Sequence, residues 1–445
     1  MTEARSELTK LFSSSIMLVI IRVGGLVCGF LLMLLLARSM ETEAVGQIIT
    51  GMSVVMLLSI LATLNFDAGG LRFLSEYVVR EDEKKAASYM LFGFKILFTV
   101  GGLITLLSLI VYFLPVNHEK QILPPYIFYA LLSIMVFGWM RLSSSYMHAK
   151  GHVIVAQIPR SFLRQAVLLS VVAALVYVKY PLDSELVMRL FYLTLIIVAI
   201  YQYTLFRSDI SVAGKIIVPD NSDSKQWLEM GFYTLTPVLF LEFSIDMIIL
   251  LSTTVISQAD IAVMAVVMRV AGFLQFGVTA INMAVGPKIA SALHKDEHDT
   301  VNHLLKISGL LKLLLVFIGL LAFYLLGEWL LSVFGEQYAA GFSALMVFAC
   351  LPLVITIFGP GVLFLTVLDL KKYLNPVFII SLLLLTLSIV FIGTRQGIVG
   401  VAISTVFVWF GWNCALYLVI KKKSGYDISI FGLFKNAMLK RAAES

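Results

Sequence analysis

Long apolar runs separated by short polar segments constrain this chain more than any other feature of its sequence. Of its 445 residues, 60% are hydrophobic and only 13% are charged, whereas about 25% charged residues is usual in soluble globular domains. An apolar run of ~20 residues is long enough, as a helix, to cross the ~30 Å hydrocarbon core of a membrane. The composition therefore predicts a polytopic, all-α membrane protein and excludes a soluble domain.

The apolar runs predict about twelve transmembrane helices, each of roughly 20 residues or more. They cover residues 12–37, 44–66, 88–114, 125–147, 159–178, 186–206, 228–254, 261–284, 306–334, 340–366, 374–393 and 397–420. Lysine and arginine residues concentrate on one side of this topology. Arg160 and Arg164 are counted on that side because they lie at the very start of the fifth helix. The other side has only Arg38, Lys120, Lys179 and Arg395. Because basic loops stay inside, both termini are expected in the cytoplasm.

The chain divides into two halves of six predicted helices. We predict an N-terminal lobe over residues 1–206, a cytoplasmic linker over 207–226, a C-terminal lobe over 227–420 and a basic tail over 421–445, which should lie on anionic membrane lipid. A shift of 216 residues aligns "FDAGGLRFLSEY" (66–77) with "NMAVGPKIASAL" (282–293), and both segments are expected to kink at small residues. Halves of equal topology place a substrate site between them.

Four of the basic residues inside predicted helices are candidates for binding an anionic substrate. Arg22 and Arg269 lie nearest to the helix centres, where a charge costs ~2.5–3.5 kcal/mol and usually faces a cavity or a partner. Guanidinium groups pair two donors at a time with phosphate oxygens, so these arginines suit a diphosphate. The alternative is a salt bridge that fixes helix packing. Arg141 and Lys95 are further candidates, although Lys95 would instead reach the interface by snorkelling.

Interrupted helices are the other sequence pointer to a substrate site. The first helix contains Gly24, Gly25 and Gly29, and the seventh contains Pro237. Small residues four apart also allow two helices to pack closely, and that alternative stays open for the glycines.

Two carboxylates in the seventh predicted helix are candidates for cation coupling. Glu242 and Asp246 are four residues apart, so a continuous helix would place them on one face. They would pair with the arginines, bind Na⁺ or exchange a proton, because carboxylates inside a membrane often mark such pathways.

Several segments, in their order along the chain, resemble the polysaccharide-unit flippases of the MATE-like multidrug/oligosaccharidyl-lipid/polysaccharide exporter superfamily. They are "LLLARSMETEAVGQ" (34–47), "GGLRFLSEYV" (69–78), "VMAVVMRVAGFLQF" (263–276), "VGPKIASAL" (285–293), "FGEQYAAGFSALMVFA" (334–349) and "GIVGVAISTVFVWF" (397–410). The resemblance implies two six-helix lobes around a central cavity that opens alternately to either side of the bacterial inner membrane.

The same resemblance implies a substrate and the residues that bind it. The substrate would be an undecaprenyl-diphosphate-linked oligosaccharide repeat unit for O-antigen, capsule or exopolysaccharide, with a polymerase and other polysaccharide-assembly proteins as partners. In the similar lipid II flippases, arginines that match Arg22 and Arg269 face the cavity. Relatives with a known coupling ion bind it with acidic or polar groups on the seventh, eleventh and twelfth helices. Here the eleventh helix offers Asn375 but no acid, and the twelfth offers Thr405.

Two alternatives compete with a flippase. A cation-coupled multidrug antiporter of the same fold would use Glu242 and Asp246 to attract organic cations. A membrane glycosyltransferase or polymerase would need a large outer loop, and none is predicted. We expect no enzyme, since no P-loop, nucleophile–base pair or metal-ligand cluster is evident. Nor does the net charge of +6 require nucleic acid in a membrane protein.

Overall fold

The computed structural model describes residues 2–113, 122–214, 220 and 222–432, with the backbone alone for 2–16 and 208–214. Within these ranges all regular secondary structure is helical. The α-helices are α1 (Thr2–Ser39), α2 (Thr42–Thr63), α3 (Phe66–Val79), α4 (Glu83–Phe113), α5 (Pro125–Ala149), α6 (Val153–Gln157), α7 (Arg164–Tyr177), α8 (Ser184–Gly214), α9 (Ser224–Glu242), α10 (Ser244–Ser252), α11 (Gln258–His294), α12 (His298–Ser332), α13 (Phe342–Phe348), α14 (Leu351–Phe358), α15 (Gly361–Val367), α16 (Leu374–Ser388) and α17 (Thr394–Ser424). Short π-helical turns join α6 to α7 (Ile158–Leu163) and α16 to α17 (Ile389–Gly393), and 3₁₀ turns cover Glu336–Gly341 and Lys371–Tyr373.

The described residues contain ten helical segments that are long and apolar enough to cross a membrane, or eleven if the bent pair α9–α10 is one span. The last segment, Lys371–Ser424, has 54 residues and holds both the eleventh and the twelfth predicted helices. Gly397 (φ 57°, ψ −136°) interrupts it, and the rings of Phe378 and Trp412 lie 5.6 Å apart on either side of that interruption. The chain therefore folds back at Gly397, and the prediction of an all-α polytopic fold is confirmed.

Packing divides the chain into two compact units, Met1–Met247 and Ile248–Ser445. Helix α9 belongs to the first unit because it packs against α3 and α4. The linker predicted over 207–226 lies partly outside the described residues, and the lobe boundary there stays a prediction. Of the predicted basic tail, residues 433–445 lie outside the described part of the chain.

The second helix of the first unit breaks at a different place from the one we predicted. Leu64 (φ 45°) and Asn65 (φ 57°) are both left-handed and separate α2 from α3, whereas Gly69 and Gly70 lie within α3. Its proposed counterpart, α11, continues as one helix through Gly286. The expected kink at Gly69 and Gly70 is therefore wrong, and α11 is not interrupted at Gly286. The break comes from two non-glycine residues that a sequence pattern does not single out.

The glycines of α1 serve close packing against the π-helical turn and α7. A side chain on Gly24 would meet the Phe162 ring, and one on Gly25 would overlap the backbone carbonyl oxygen of Ser161. A Cβ on Gly29 would lie 3.6 Å from Cδ of the Gln165 amide. The bare backbone of α1 thus approaches the fifth membrane segment closely, as the packing alternative requires.

Gly25→Val should separate α1 from the π-helical turn, because the new side chain would occupy the position of the Ser161 carbonyl. Overpacking of this kind typically costs ~1–3 kcal/mol. Thermal unfolding in a neutral detergent measures the loss. Gly102→Val in α4 is the control, since a Cβ there meets nothing within 4 Å. An equal Tm for the two variants would contradict the packing role.

An aromatic cluster anchors the start of α9 in the first unit. Trp227, which is only 1% exposed, packs edge-on against Tyr89 with 5.1 Å between ring centroids. Its Nε1 donates to the Tyr77 hydroxyl at 3.0 Å, and that hydroxyl donates to Asp223 Oδ2 at 3.0 Å. Lys85 Nζ donates to the same oxygen at 2.7 Å. One carboxylate therefore ties α9 to both α3 and α4.

The contacts of the Asp223 carboxylate with Lys85 and Tyr77 should weaken in acid. The hydrogen bond from Lys85 holds the pKa of the Asp223 carboxyl below its ordinary value of 3.8. A depressed pKa means that the stabilisation is complete above pH 3.8 and is lost as pH falls through the lower folded value. We expect Asp223→Asn to lower the Tm near neutral pH and the two proteins to converge as the pH falls through that lower folded pKa. A constant gap across that range would show that Asp223 does not act through its charge.

Helices α11 and α12 pack closely in the second unit. Gly277 of α11 faces Leu315 of α12, and Gly319 of α12 faces Leu274 of α11. Each leucine fills the space that the opposite glycine leaves, which allows two long apolar helices to approach closely.

Candidate functional site

A buried ion pair forms the centre of the first unit. Arg141 Nη2 of α5 donates to Asp67 Oδ2 of α3 at 2.6 Å, and the side chains are 1% and 7% exposed. The Arg141 guanidinium also lies 5.2 Å from the centroid of the Phe243 ring. Asp67 occupies the first turn of α3 because the left-handed residues Leu64 and Asn65 end α2 just before it. The sequence predicted Arg141 as a site residue, and the structure adds its acidic partner.

Neighbouring hydrogen bonds hold this pair in place. Ser145 Oγ, one turn after Arg141, donates to the Asp67 backbone oxygen at 2.7 Å. The Tyr89 hydroxyl donates to the Phe66 backbone oxygen at 2.8 Å. Asn65 Nδ2 donates to Thr234 Oγ1 of α9 at 2.9 Å. The start of α3 is therefore fixed to α4, α5 and α9.

The pair leaves several buried polar atoms unsatisfied. Among the described residues, Asp67 Oδ1, Asn65 Oδ1, Arg141 Nε and Arg141 Nη1 have no hydrogen-bond partner. Buried polar groups in proteins are nearly always paired with protein or ordered water. These atoms, both donors and acceptors, can therefore bind water or the polar groups of a ligand.

Two more arginines lie within the fifth membrane segment, not in the basic flank where the sequence placed them. That segment begins at Val153, earlier than predicted, so its π-helical turn and the start of α7 carry Arg160 and Arg164 into the span. The Arg164 guanidinium lies 5.2 Å from the Phe137 ring centroid and 5.9 Å from that of Phe191. These two aromatic faces stabilise the Arg164 cation inside the segment, whereas the distribution of basic residues in the sequence predicted it at the membrane surface.

Arg160 connects these groups electrostatically. The charges that act on it are those of Arg141, Asp67, Glu242 and Arg22. Arg164 is acted on by Arg160 and Asp246. We call Arg22, Arg141, Arg160 and Arg164 the arginine cluster. Its four cations outnumber the three neighbouring carboxylates by one.

Glu242 and Asp246 do not share one helix face, so that expectation is wrong. Helix α9 ends at Glu242 and α10 begins at Ser244, with a bend of 78° between them. The bend falls after Phe243 and not at Pro237, which lies inside α9. The four-residue spacing therefore does not apply across the break. Asp246 instead accepts a hydrogen bond from Ser53 Oγ of α2 at 2.9 Å.

The other predicted site residues lie apart from this cluster or in the second unit. Lys95 is exposed on α4, three residues from the exposed Phe98, where snorkelling places a lysine. Arg269 lies on α11 and Asn375 in the first turn of α16. The Thr405 hydroxyl donates to Val401 O of its own helix at 2.9 Å. Within the described residues, no group of three or more His, Cys, Asp or Glu side chains could hold a metal ion.

Sequence reasoning missed Asp67, Arg160 and Arg164 as site residues. Asp67 lies one residue beyond the predicted end of the second helix, and the two arginines open the predicted fifth helix. Their i, i+4 spacing, which puts two cations on one helix face, was the available signal.

Comparisons with known proteins place this geometry within a known fold. No family model and no curated protein matches the sequence. Among solved structures, the chain is similar to an inward-facing multidrug resistance MATE family transporter of the MOP superfamily. The alignment covers 92% of this chain and 96% of the transporter, at 12% sequence identity and a TM-score of 0.71. The lipid II flippase MurJ in an inward closed conformation matches 91% of this chain and 87% of its own, at 13% identity and a TM-score of 0.65.

A third structure is a MOP superfamily transporter from Pyrococcus furiosus, described by the reverse polarity of its binding pocket. It matches 91% of this chain and 97% of its own, at 12% identity and a TM-score of 0.55. Identities this low relate folds and not substrates. The chain is thus a multi-pass membrane protein with the MATE-like fold of MOP-superfamily transporters and flippases.

Proposed function

We propose that this protein is a flippase for lipid-linked oligosaccharides that carry a diphosphate, moving them from the cytoplasmic to the periplasmic leaflet. The observation that carries the proposal is the arginine cluster inside the first unit. A hydrophilic anion cannot cross hydrocarbon unaided, so cations inside the protein lower its barrier.

The arginine cluster has the chemistry that a diphosphate requires. Arginine keeps its charge and offers a planar fork of donors that matches phosphate oxygens. Arg141 Nε and Nη1 and Arg164 Nε have no protein acceptor within the described residues. A phosphate group would satisfy such donors with short, charge-assisted hydrogen bonds. Arg22, exposed on α1, would meet the headgroup first.

The fold supports a lipid-linked substrate. MurJ is a lipid II flippase with the same fold, and the sequence motifs resemble polysaccharide-unit flippases. On that basis the substrate is an undecaprenyl-diphosphate-linked repeat unit for O-antigen, capsule or exopolysaccharide. The protein lies in the bacterial inner membrane with both termini in the cytoplasm and works beside a polymerase and other assembly proteins. Arg269 of the second unit is a separate candidate for binding the diphosphate.

A cation-coupled multidrug antiporter is the second candidate, favoured by the carboxylates of Glu242 and Asp246 and by the MATE transporters among the similar folds. In the flippase the same two acids would serve coupling to Na⁺ or H⁺, with Asn375 and Thr405 as further polar groups. The excess of cations over carboxylates favours an anionic substrate over an organic cation.

Flipping by purified protein in proteoliposomes tests the proposal. A fluorescent polyprenyl-diphosphate oligosaccharide should move across the bilayer, and a lipid of the same length with a neutral headgroup should not. Arg22→Gln should slow movement about 10- to 100-fold, the loss expected for one charged hydrogen-bonding group.

The matched control is Lys225→Gln, which removes one cation from a side chain that is 89% exposed. It should flip the substrate at the wild-type rate. Equal rates for the diphosphate and neutral lipids would contradict the proposal. Export of organic cations by the wild type without movement of the diphosphate lipid would favour the antiporter.

A further inference from the structure

A cavity of about 270 Å³ lies within the second unit. Its walls come from α11, α12, α17 and the break between α14 and α15, and they are largely apolar. The polar groups of its side chains are those of Asn282, Ser308 and Asn413 and the indole N–H of Trp412. Apolar walls with a few placed polar groups are typical of small-molecule sites.

A buried lysine lies directly behind this wall. Lys312 is 2% exposed, and its Nζ donates to Asn282 Oδ1 at 3.1 Å. It lies fourteen residues after the start of α12, or about 20 Å along the helix, well inside the membrane segment. In the part of the chain that the structure describes, no carboxylate lies within ion-pair distance of Lys312. Buried lysines are rare unless paired, so this one requires an explanation.

The lysine fixes the orientation of the Asn282 amide. An ammonium group has donors only, so the atom of Asn282 that faces it must be the carbonyl oxygen. Asn282 lines the cavity, so its other polar atom, the Nδ2 amino group, is available there as a donor. Lys312 polarises this donor further. Ser308, one turn before Lys312, adds a hydroxyl that now donates to Leu305 O at 3.1 Å and can rotate toward a ligand.

We propose that this cavity is a binding site for an oxyanion of the phosphate class, held by Asn282 Nδ2 and by the charge of Lys312. A cation is disfavoured because Lys312 already occupies the carbonyl oxygen that would bind it. The phosphate group comes either from a membrane lipid or from free solution, and both present the same oxygens. The site lies wholly in the second unit and does not depend on the arginine cluster or on the proposed flippase activity.

Binding to the purified full chain tests the site with two probes. Inorganic phosphate is titrated in neutral detergent, with the dissociation constant read by calorimetry. Separately, delipidated protein is offered phosphatidylglycerol or phosphatidylcholine, and retained lipid is counted by native mass spectrometry. Lys312→Met should weaken binding of the effective probe by more than tenfold, as expected for a charged hydrogen-bonding group.

Two further variants separate the site from general effects of charge. Lys306→Met removes the same charge from the same helix at a residue that does not line the cavity, and should bind like the wild type. Gly286→Val narrows the cavity that Gly286 lines, and a Cβ there would lie 3.9 Å from Leu363 Cδ2, with no atom of Lys312 within 4 Å. It should abolish binding, and it decides the matter if Lys312→Met does not fold.

Binding of free phosphate identifies a soluble anion, whereas binding of phosphatidylglycerol alone identifies a lipid; either result supports the site. The proposal is overturned if neither probe binds, or if the two cavity variants bind as tightly as the wild type.

Discussion

Asp67→Ala should destabilise the protein by ~3–5 kcal/mol, because it leaves the Arg141 guanidinium buried without a counter-charge. Arg141→Met should cost a similar amount for the converse reason. The double variant Asp67→Leu/Arg141→Met should recover most of the loss, since a buried ion pair replaced by apolar side chains of similar volume is often neutral or stabilising. Thermal unfolding in neutral detergent measures all three.

The exposed pair of Arg80 and Glu76 is the control for this cycle. Their side chains are 70% and 44% exposed, and such a pair contributes only ~0.2–1 kcal/mol. Glu76→Ala should therefore leave the Tm nearly unchanged. If Asp67→Ala lowers the Tm no more than Glu76→Ala does, the buried pair is not a structural centre.

Replacing Arg160 and Arg164 by glutamine should reverse the substrate preference of the first unit. The change turns an excess of one cation into an excess of one carboxylate among the seven charged groups. Loss of two charged donors should reduce diphosphate-lipid flipping by more than about 100-fold, and transport of a lipophilic organic cation should rise.

The same proteoliposomes serve for both substrates in that experiment. The single variant Arg164→Gln should lie between the wild type and the double variant. Unchanged flipping in the double variant would mean that these arginines serve only to hold the helices together, as the contacts of Arg164 with the Phe137 and Phe191 rings do.

The membrane helices could be predicted from the sequence because each requires a long apolar run, and hydropathy reports that directly. The breaks within them could not. The α2–α3 break rests on two left-handed residues, Leu64 and Asn65, that are neither glycine nor proline. The α9–α10 bend falls at Phe243, six residues after the proline that pointed to an interruption. Both depend on tertiary contacts.

The site was predictable only in part for a related reason. Arg141 stood out because it interrupts an apolar run, but its partner Asp67 lies just beyond the end of another run. Arg160 and Arg164 were read as a basic flank because a charge count cannot see the aromatic rings that hold Arg164 inside the membrane segment. Sequence periodicity also failed for Glu242 and Asp246, since the helix that would align them is broken.

The Asp67–Arg141 pair has a consequence for how the protein is made. The two residues are 74 positions apart in the chain. A ribosome adds about 5–20 residues per second, so Arg141 is synthesised roughly 4–15 s after Asp67. During that interval α4 and most of α5, two apolar membrane segments, are synthesised after a carboxylate that hydrocarbon does not tolerate. We therefore expect α3 to stay in contact with water or the insertion machinery until α5 emerges, and the first unit to enter the bilayer as a group rather than helix by helix.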